Sequence, residues 1–245
     1  MRLSPENYRS HLSDDMKLLA GITSDHLAVE LPQVEGWTVE TLLGHTGWVL
    51  RYATAVLQAP LDSPPPRSSI GHAPVGPDVL EWFSSSAEGV AQLLPTLDLD
   101  SVVTTFTGPQ PAKWWVRRLA HEVAVHRWDA EVALGSPTAL KSELAIDGID
   151  EMMEVFAPRR MQFDVLAGTG ETIHLHATDS NHGEWMLTLN DDSVGWEHAH
   201  AKGDVAARGS ASDLLLFLWG RIDQSPLEVF GDASLLERWQ QAATF

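Results

Sequence analysis

The chain has 245 residues, 44% of them hydrophobic, and 16 basic against 34 acidic residues give it a formal net charge of −18. This length suits one large domain or two smaller ones, and the acidic balance argues against nucleic-acid binding because such a surface repels a phosphate backbone. The absence of cysteine excludes disulfides, thiolate metal ligands and a cysteine nucleophile.

Amphipathic segments in the first 160 residues predict five helices. Thr38 is suited to the N-cap of the second helix. Gly135 predicts the end of the fourth helix, because glycine often follows the last helical residue. Residues 60–76 contain five prolines and two glycines and predict an irregular loop, while residues 99–110 form a connector with a short β-branched run. The predicted helices span about Ser4–Leu31, Thr38–Gln58, Pro77–Leu97, Pro111–Leu134 and Lys141–Phe156.

The pattern changes to strands after about residue 160. Glu171–Thr178 alternates strictly, with Ile173 and Leu175 on one face and His174 and His176 on the other. We therefore predict a helical domain at 1–160 and an α/β domain at 161–245. The other predicted strands span Glu184–Asn190, Val194–His200 and Gly203–Gly209, and the last two predicted helices span Ser210–Ile222 and Ala233–Ala242.

The sequence contains no apparent membrane or targeting segment. No apolar run reaches the length of about 18 residues that a membrane span requires. The first residues lack the apolar core of a signal peptide. We therefore expect a cytoplasmic location and no membrane partner, whereas the sequence gives no indication of an oligomeric state.

Polar side chains interrupt the core face of the predicted fourth helix. His126 continues its apolar stripe, Glu122 lies one turn earlier on the same face, and Asp129 lies beside it. A carboxylate directed into a helical bundle is costly unless something compensates its charge. His45 lies on a similar inward stripe of the second helix. The pattern thus favours a site in which His45, Glu122 and His126 hold one metal ion.

The ligand types indicate what such a site could do. Three protein ligands leave a position open for water or substrate, which is typical of catalytic zinc sites. Imidazole and carboxylate fit zinc without excluding iron, nickel or manganese.

Three other interpretations remain open at this level. The histidines could be ordinary hydrogen-bonded core residues, and Glu122 could pair with Arg118 or Arg127 on its own helix. His121, roughly 100° away from Glu122 on the helix, is expected at the surface or in a neighbouring contact. A rival metal site could form if the pairs His174/His176 and His198/His200 met across strands, although the alternation around His174 favours a solvated sheet face.

Three segments of the sequence carry a resemblance to a known family. They are Gly36–His45, His121–Glu131 and Gly209–Arg221, and together they resemble the mycothiol-dependent maleylpyruvate isomerase family of DinB-like metal-binding proteins. The resemblance implies an α+β fold with an N-terminal DinB-like four-helix bundle and a small C-terminal sterol-carrier-protein-like α/β domain. By the same resemblance, His45, Glu122 and His126 match the zinc ligands of the family.

The resemblance also implies a chemistry. The family uses a low-molecular-weight thiol, typically mycothiol, as cosubstrate for isomerisation or S-transfer on a small electrophilic molecule. A thiol that coordinates zinc loses its proton near neutral pH, so the cosubstrate would supply the nucleophile that the cysteine-free chain lacks. Thiolate addition to an activated double bond would permit rotation, and elimination would restore the thiol.

Further residues are expected to support this chemistry. Asp129 is positioned to orient the His126 ring. The guanidinium of Arg221 or Arg208 could bind a substrate carboxylate with two hydrogen bonds. Two alternatives to a thiol-using enzyme remain: a thiol-independent metal-dependent lyase, hydrolase or tailoring enzyme, and a non-enzymatic module that binds a metal or small ligand.

Overall fold

The structure is a computed structural model, and it describes residues 2–160 and 166–243. The chain divides into two compact units. The first is Ser4–Thr138, and the second comprises the described residues from Ala139 onward together with Arg2 and Leu3. A helical unit is thus followed by a unit of strands and helices, as the predicted fold class requires.

The first unit is a four-helix bundle in which α1 packs against α4 and α2 packs against both α3 and α4. Ser4 and Thr38 cap α1 and α2, because their hydroxyls accept hydrogen bonds from the amides of Asn7 and Thr41. A Cβ atom at Gly47 would lie 2.6 Å from the Trp82 ring, so glycine permits the close approach of α2 and α3. The helices are α1 (Pro5–Ala20), α2 (Val39–Gln58), α3 (Asp78–Leu93) and α4 (Lys113–Ala133).

Two segments of the first unit differ from the prediction. Helix α1 ends at Ala20 rather than near Leu31, because Gly21 closes it and Thr23 is already extended. Residues 21–38 form a loop with a 3-10 turn at Ser24–His26 and a bridge between Glu30 and Thr38. The predicted connector contains a hairpin of β1 (Val102–Thr105) and β2 (Gly108–Pro111).

The second unit is built on a five-stranded sheet in the order β5-β4-β3-β6-β7. Strands β3 and β6 are parallel and the other neighbours are antiparallel. Ile173, Leu175 and Ala177 of β3 are buried, as their alternation predicts. The strands are β3 (Glu171–Ala177), β4 (Glu184–Leu189), β5 (Val194–Glu197), β6 (Val205–Gly209) and β7 (Glu228–Gly231).

The helices of the second unit explain why the division does not fall at the predicted residue 160. Helix α5 packs against α7, and the Leu140 amide donates to the Ser212 hydroxyl at 3.0 Å. Trp185 of β4 likewise donates to Asp150 of α5 at 2.7 Å. The segment predicted as the last helix of the first domain therefore belongs to the second core. The helices are α5 (Ser142–Glu151), continued by a π-helical turn (Met152–Phe156) and α6 (Ala157–Arg160), then α7 (Ala211–Leu218) and α8 (Ser234–Ala242).

Two further differences concern the ends of elements in the second unit. Strand β5 ends at Glu197, so His198 and His200 lie in the segment that follows it rather than on a strand. Strand β7 was not predicted, because it is a short edge strand whose residues are mostly exposed and give no alternating apolar signal. Within the described ranges, every helix is too short or too polar to cross a bilayer.

Candidate metal centre

Helices α2 and α4 bring the three predicted ligands together. His45 Nε2 lies 3.1 Å from Glu122 Oε1, and His126 Nε2 lies 3.4 Å from the same oxygen. One ligand atom from each residue lies within 4.8 Å of the other two. In a tetrahedral zinc site with bonds near 2.1 Å, ligand atoms are about 3.4 Å apart. The observed spacing therefore fits a single ion with small side-chain adjustments.

The second oxygen of Glu122 has a different partner. Arg118, whose side chain is only 4% exposed, places its guanidinium 2.6 Å from Glu122 Oε2. The pairing with Arg118 and the convergence with the histidines therefore occur together, because each uses its own carboxylate oxygen. Arg127, the other partner considered, instead bonds to Asp15 and Glu131.

Asp129 lies behind His126, on the side away from Glu122. Its carboxylate is fully buried, and Oδ2 lies 3.1 Å from His126 Nδ1. Gln33 donates to Asp129 Oδ1 at 3.1 Å and to its backbone carbonyl at 2.9 Å. An Nδ1–H bond to Asp129 leaves Nε2 of a neutral His126 free to bind a metal. The geometry suits the orienting role predicted for Asp129.

Gln33 was not anticipated from the sequence. It lies in the loop of residues 21–38, part of which was predicted as helix. A single glutamine in a loop carries no motif, so only the folded structure shows that it reaches Asp129. Of the two positions expected for His121, the surface or a neighbouring contact, the structure shows the second: it is buried, with its ring edge-on to Tyr8 at 6.0 Å between centroids.

Trp37 closes one side of the group. Its ring is stacked on His126 with an interplanar angle of 18° and lies 5.0 Å from His45 between centroids. Gly36, which precedes it, has φ of 76°, a conformation that favours glycine and turns the chain into α2. This explains the Gly-Trp-Thr sequence at the start of the helix.

A cavity of about 710 Å³ opens beside His45, whose side chain is 38% exposed. Trp37 and Trp48 line it, together with residues of the 67–75 loop. Trp114 and Trp115 of α4 are not among its lining residues and pack against each other and against Phe106. Of the three residues, His45 lines this cavity, which is large enough for a small molecule.

Burial and neighbouring charges act in opposite directions on the two central groups. Burial alone would raise the pKa of Glu122, but the Arg118 charge and hydrogen bonds from both histidines hold that pKa well below its ordinary value. Burial alone would lower the pKa of His126, but hydrogen bonds to Asp129 and Glu122 raise it to about 9. Without a metal, His126 is therefore protonated at neutral pH and forms part of an ion-pair network.

The two candidate arginines lie in the second unit. Arg208 on β6 forms an ion pair with Glu228 on β7 at 3.0 Å. Arg221 follows α7 and donates to the Trp219 carbonyl at 3.2 Å. Both are partly exposed. Their roles towards a substrate carboxylate stay predictions.

The rival histidine site forms with a different membership from the predicted one. His174, His176 and His200 converge with Glu184, whereas His198 bonds to Asp150 and to the Glu184 carbonyl. The group thus differs from the alternative considered from the sequence in one member, because Glu184 stands in place of His198.

Comparisons with known proteins cover nearly the whole chain. Residues 13–131 match the mycothiol maleylpyruvate isomerase N-terminal domain, and residues 143–238 match the C-terminal domain of the same family. No curated protein matches the sequence.

Solved structures agree with this assignment. A crystal structure of the mycothiol-dependent maleylpyruvate isomerase has a TM-score of 0.61 and 16% identity, covering 92% of this chain and 89% of that chain. A mutant of that isomerase with a histidine replaced by alanine has a TM-score of 0.58 and 17% identity over the same shares of the two chains. Identities this low show a shared fold. Because both of its domains match in order, the chain belongs to the mycothiol-dependent maleylpyruvate isomerase family.

Proposed function

We propose that this protein is a zinc-dependent enzyme that uses a low-molecular-weight thiol, such as mycothiol, to isomerise a small electrophile of the maleylpyruvate type. The observation that carries the proposal is the convergence of His45, Glu122 and His126 beside an open cavity. Family membership supports the choice of thiol and substrate class. S-transfer on the same fold is the closest variant of this chemistry.

The residues fit a bound ion. Their donor set of two imidazoles and one carboxylate is that of catalytic zinc sites, in which a further position is left for an exogenous ligand. When bound, the ion would lower the pKa of a coordinated thiol so that the thiolate is available near neutral pH. Manganese, iron or nickel would also be compatible with these ligands.

The surrounding residues hold the site in place. Asp129 fixes the orientation of the His126 ring, and Gln33 in turn fixes Asp129. Trp37 covers the imidazoles on one side and limits access of water. Arg118 neutralises one oxygen of Glu122. These contacts keep the ligands preorganised, which is what makes a binding site effective at low reorganisation cost.

The proposed isomerisation needs no other reagent. The thiolate sulfur forms a bond to one carbon of the activated double bond, and the π electrons move to the adjoining carbonyl as an enolate. Rotation then occurs about the resulting single bond. Re-formation of the double bond expels the thiolate, so the thiol is regenerated. A guanidinium from Arg221 or Arg208 would bind a substrate carboxylate.

The direct test measures isomerisation of maleylpyruvate by the metal-loaded protein with and without mycothiol. We expect turnover only when both metal and thiol are present, with the thiol concentration unchanged at the end. Consumption of one thiol per product would indicate S-transfer instead. Turnover at the same rate without thiol would contradict the proposal and favour a thiol-independent lyase or hydrolase, and no turnover with any thiol would favour a binding module.

The raised pKa of His126 predicts opposite pH dependences for folding and for metal binding. In the stripped protein the proton on His126 stabilises the fold, so the free energy of unfolding should fall as pH rises from about 6.5 towards about 9. Zinc must displace that proton, so its affinity should rise over the same range. Urea unfolding and zinc titration at several pH values measure both trends. In His126→Asn, both the free energy of unfolding and the zinc affinity should depend less on pH. A wild-type zinc affinity that fell as pH rose would contradict the raised pKa of His126.

A further inference from the structure

Four potential metal ligands meet on the face of the second unit's sheet that lies opposite Ile173 and Leu175. His174 and His176 lie on the same face of β3, and Glu184 on β4 is the register partner of His176. His200 reaches the group from the segment after β5. One ligand atom from each residue lies within 4.8 Å of the others. Two strands and a connecting segment therefore contribute to one point.

The three imidazoles all direct a nitrogen at the same carboxylate. His200 Nδ1 lies 2.5 Å and His174 Nε2 3.3 Å from Glu184 Oε2, while His176 Nδ1 lies 3.4 Å from Oε1. The rings are 5.5–6.1 Å apart between centroids. A single protonated imidazole would neutralise the carboxylate. Three imidazoles around one carboxylate therefore provide more nitrogen ligands than ion pairing with Glu184 requires.

Two cationic side chains, Lys202 and Arg208, line the cavity beside the group, and Arg208 is paired with Glu228 rather than with Glu184. Among the described residues, the ion-pairing partners of the Glu184 carboxylate are these three histidines, whereas Glu122 in the bundle also has the guanidinium of Arg118. Tetrahedral zinc requires ligand atoms about 3.4 Å apart. The His174 and His176 nitrogens already lie 3.3 and 3.4 Å from Glu184 oxygens, whereas the His200 nitrogen, at 2.5 Å, would move outward to make room for the ion. His198 bonds to the Glu184 carbonyl at 3.0 Å and so holds the segment that carries His200.

We infer that His174, His176, Glu184 and His200 form a second metal site, which binds one Zn²⁺ ion and links β3, β4 and the segment after β5. Imidazole and carboxylate ligands suit zinc among the available divalent ions. Four protein ligands complete a tetrahedral shell, which is the arrangement of structural rather than catalytic zinc. The role we infer for the site is therefore to stabilise the second unit.

Metal stoichiometry of the stripped full-length protein, dialysed against Zn²⁺ alone, tests this inference. We expect two ions per chain in the wild type and one in His200→Ala, whose side chain is 76% exposed in the parent and can be removed without disturbing the core. His182→Ala, an exposed residue of the neighbouring turn, is the matched control and should retain both ions. His126→Ala should retain one ion, and the double variant His126→Ala/His200→Ala none.

The outcomes separate the two sites. A wild type that binds one ion, lost in His126→Ala and kept in His200→Ala, would overturn the second site and leave the proposed function intact. One ion lost only in His200→Ala would support the second site and contradict the bundle site. As an independent readout, zinc should raise the Tm of His126→Ala but leave that of the double variant unchanged. Equal Tm shifts in the two variants would overturn the inference.

Discussion

Replacing His126 with alanine is expected to remove the zinc ion of the bundle and to lower kcat/KM by more than about 100-fold, the upper range for residues that only support a ligand. His126 supplies one of three protein ligands, and two ligands cannot keep the ion with the same affinity. The lost imidazole also leaves Asp129 without its bond to His126 Nδ1. Metal analysis and the thiol-dependent isomerase assay measure the two effects.

A histidine elsewhere in the same unit provides the control. Among the described residues, the His26 side chain bonds to the hydroxyl of Thr23, and His26→Ala should keep both metal and activity. Restoring activity in His126→Ala with added imidazole would further assign the loss to the missing ligand. A His126→Ala protein with wild-type metal content and full activity would end the proposed function.

Replacing Arg118 with methionine should destabilise the metal-free protein by about 1.5–3 kcal/mol, the contribution of a hydrogen bond between charged groups, because Glu122 then keeps only its two histidine partners. Glu122 is 19% exposed, so little water can replace the guanidinium. With zinc bound the loss should be smaller, because the cation also compensates the carboxylate. Urea unfolding of stripped and zinc-loaded protein gives both free energies.

Two further variants make this prediction specific. Lys113 lies on the same helix as Arg118, and its exposed ammonium pairs with Asp100. Lys113→Met should therefore lower the free energy of unfolding by no more than about 1 kcal/mol. Adding Glu122→Gln to Arg118→Met should recover most of the lost stability, since no buried charge then remains unpaired. If Arg118→Met alone were as stable as the wild type without metal, Glu122 would not depend on this guanidinium.

The convergence of His45, Glu122 and His126 could be predicted because helical spacing fixes the direction of a side chain. Glu122 and His126 are four residues apart, and His45 follows the apolar stripe of its own helix, so the three had to face the core. The identity of the core that α5 joins could not be predicted in the same way. Its apolar face is equally compatible with the core of either unit. Only the folded structure shows that α5 packs against α7 and so belongs to the second unit.

The histidine group of the second unit shows a different limit. Its i, i+2 spacing correctly places His174 and His176 on one face, but the neighbours of that face depend on strand register. The register pairs His176 with Glu184, which places a carboxylate beside the histidines. Because β5 ends at Glu197, His198 lies beyond the strand and bonds to Asp150. Register follows from turn geometry and from the partner strand, neither of which this segment specifies by itself.

The position of Arg118 gives the bundle site a definite charge balance. A zinc ion brings two positive charges and Arg118 one, against single negative charges on Glu122 and Asp129, whose carboxylates lie within the same bonded network. One positive charge is left over, on a chain whose formal net charge is −18. A neutral ligand would leave that excess in place, whereas a monoanion cancels it. With zinc bound as we propose, a thiolate would therefore suit the site better than the neutral thiol, and Arg118 would favour that ligand charge without touching the ligand.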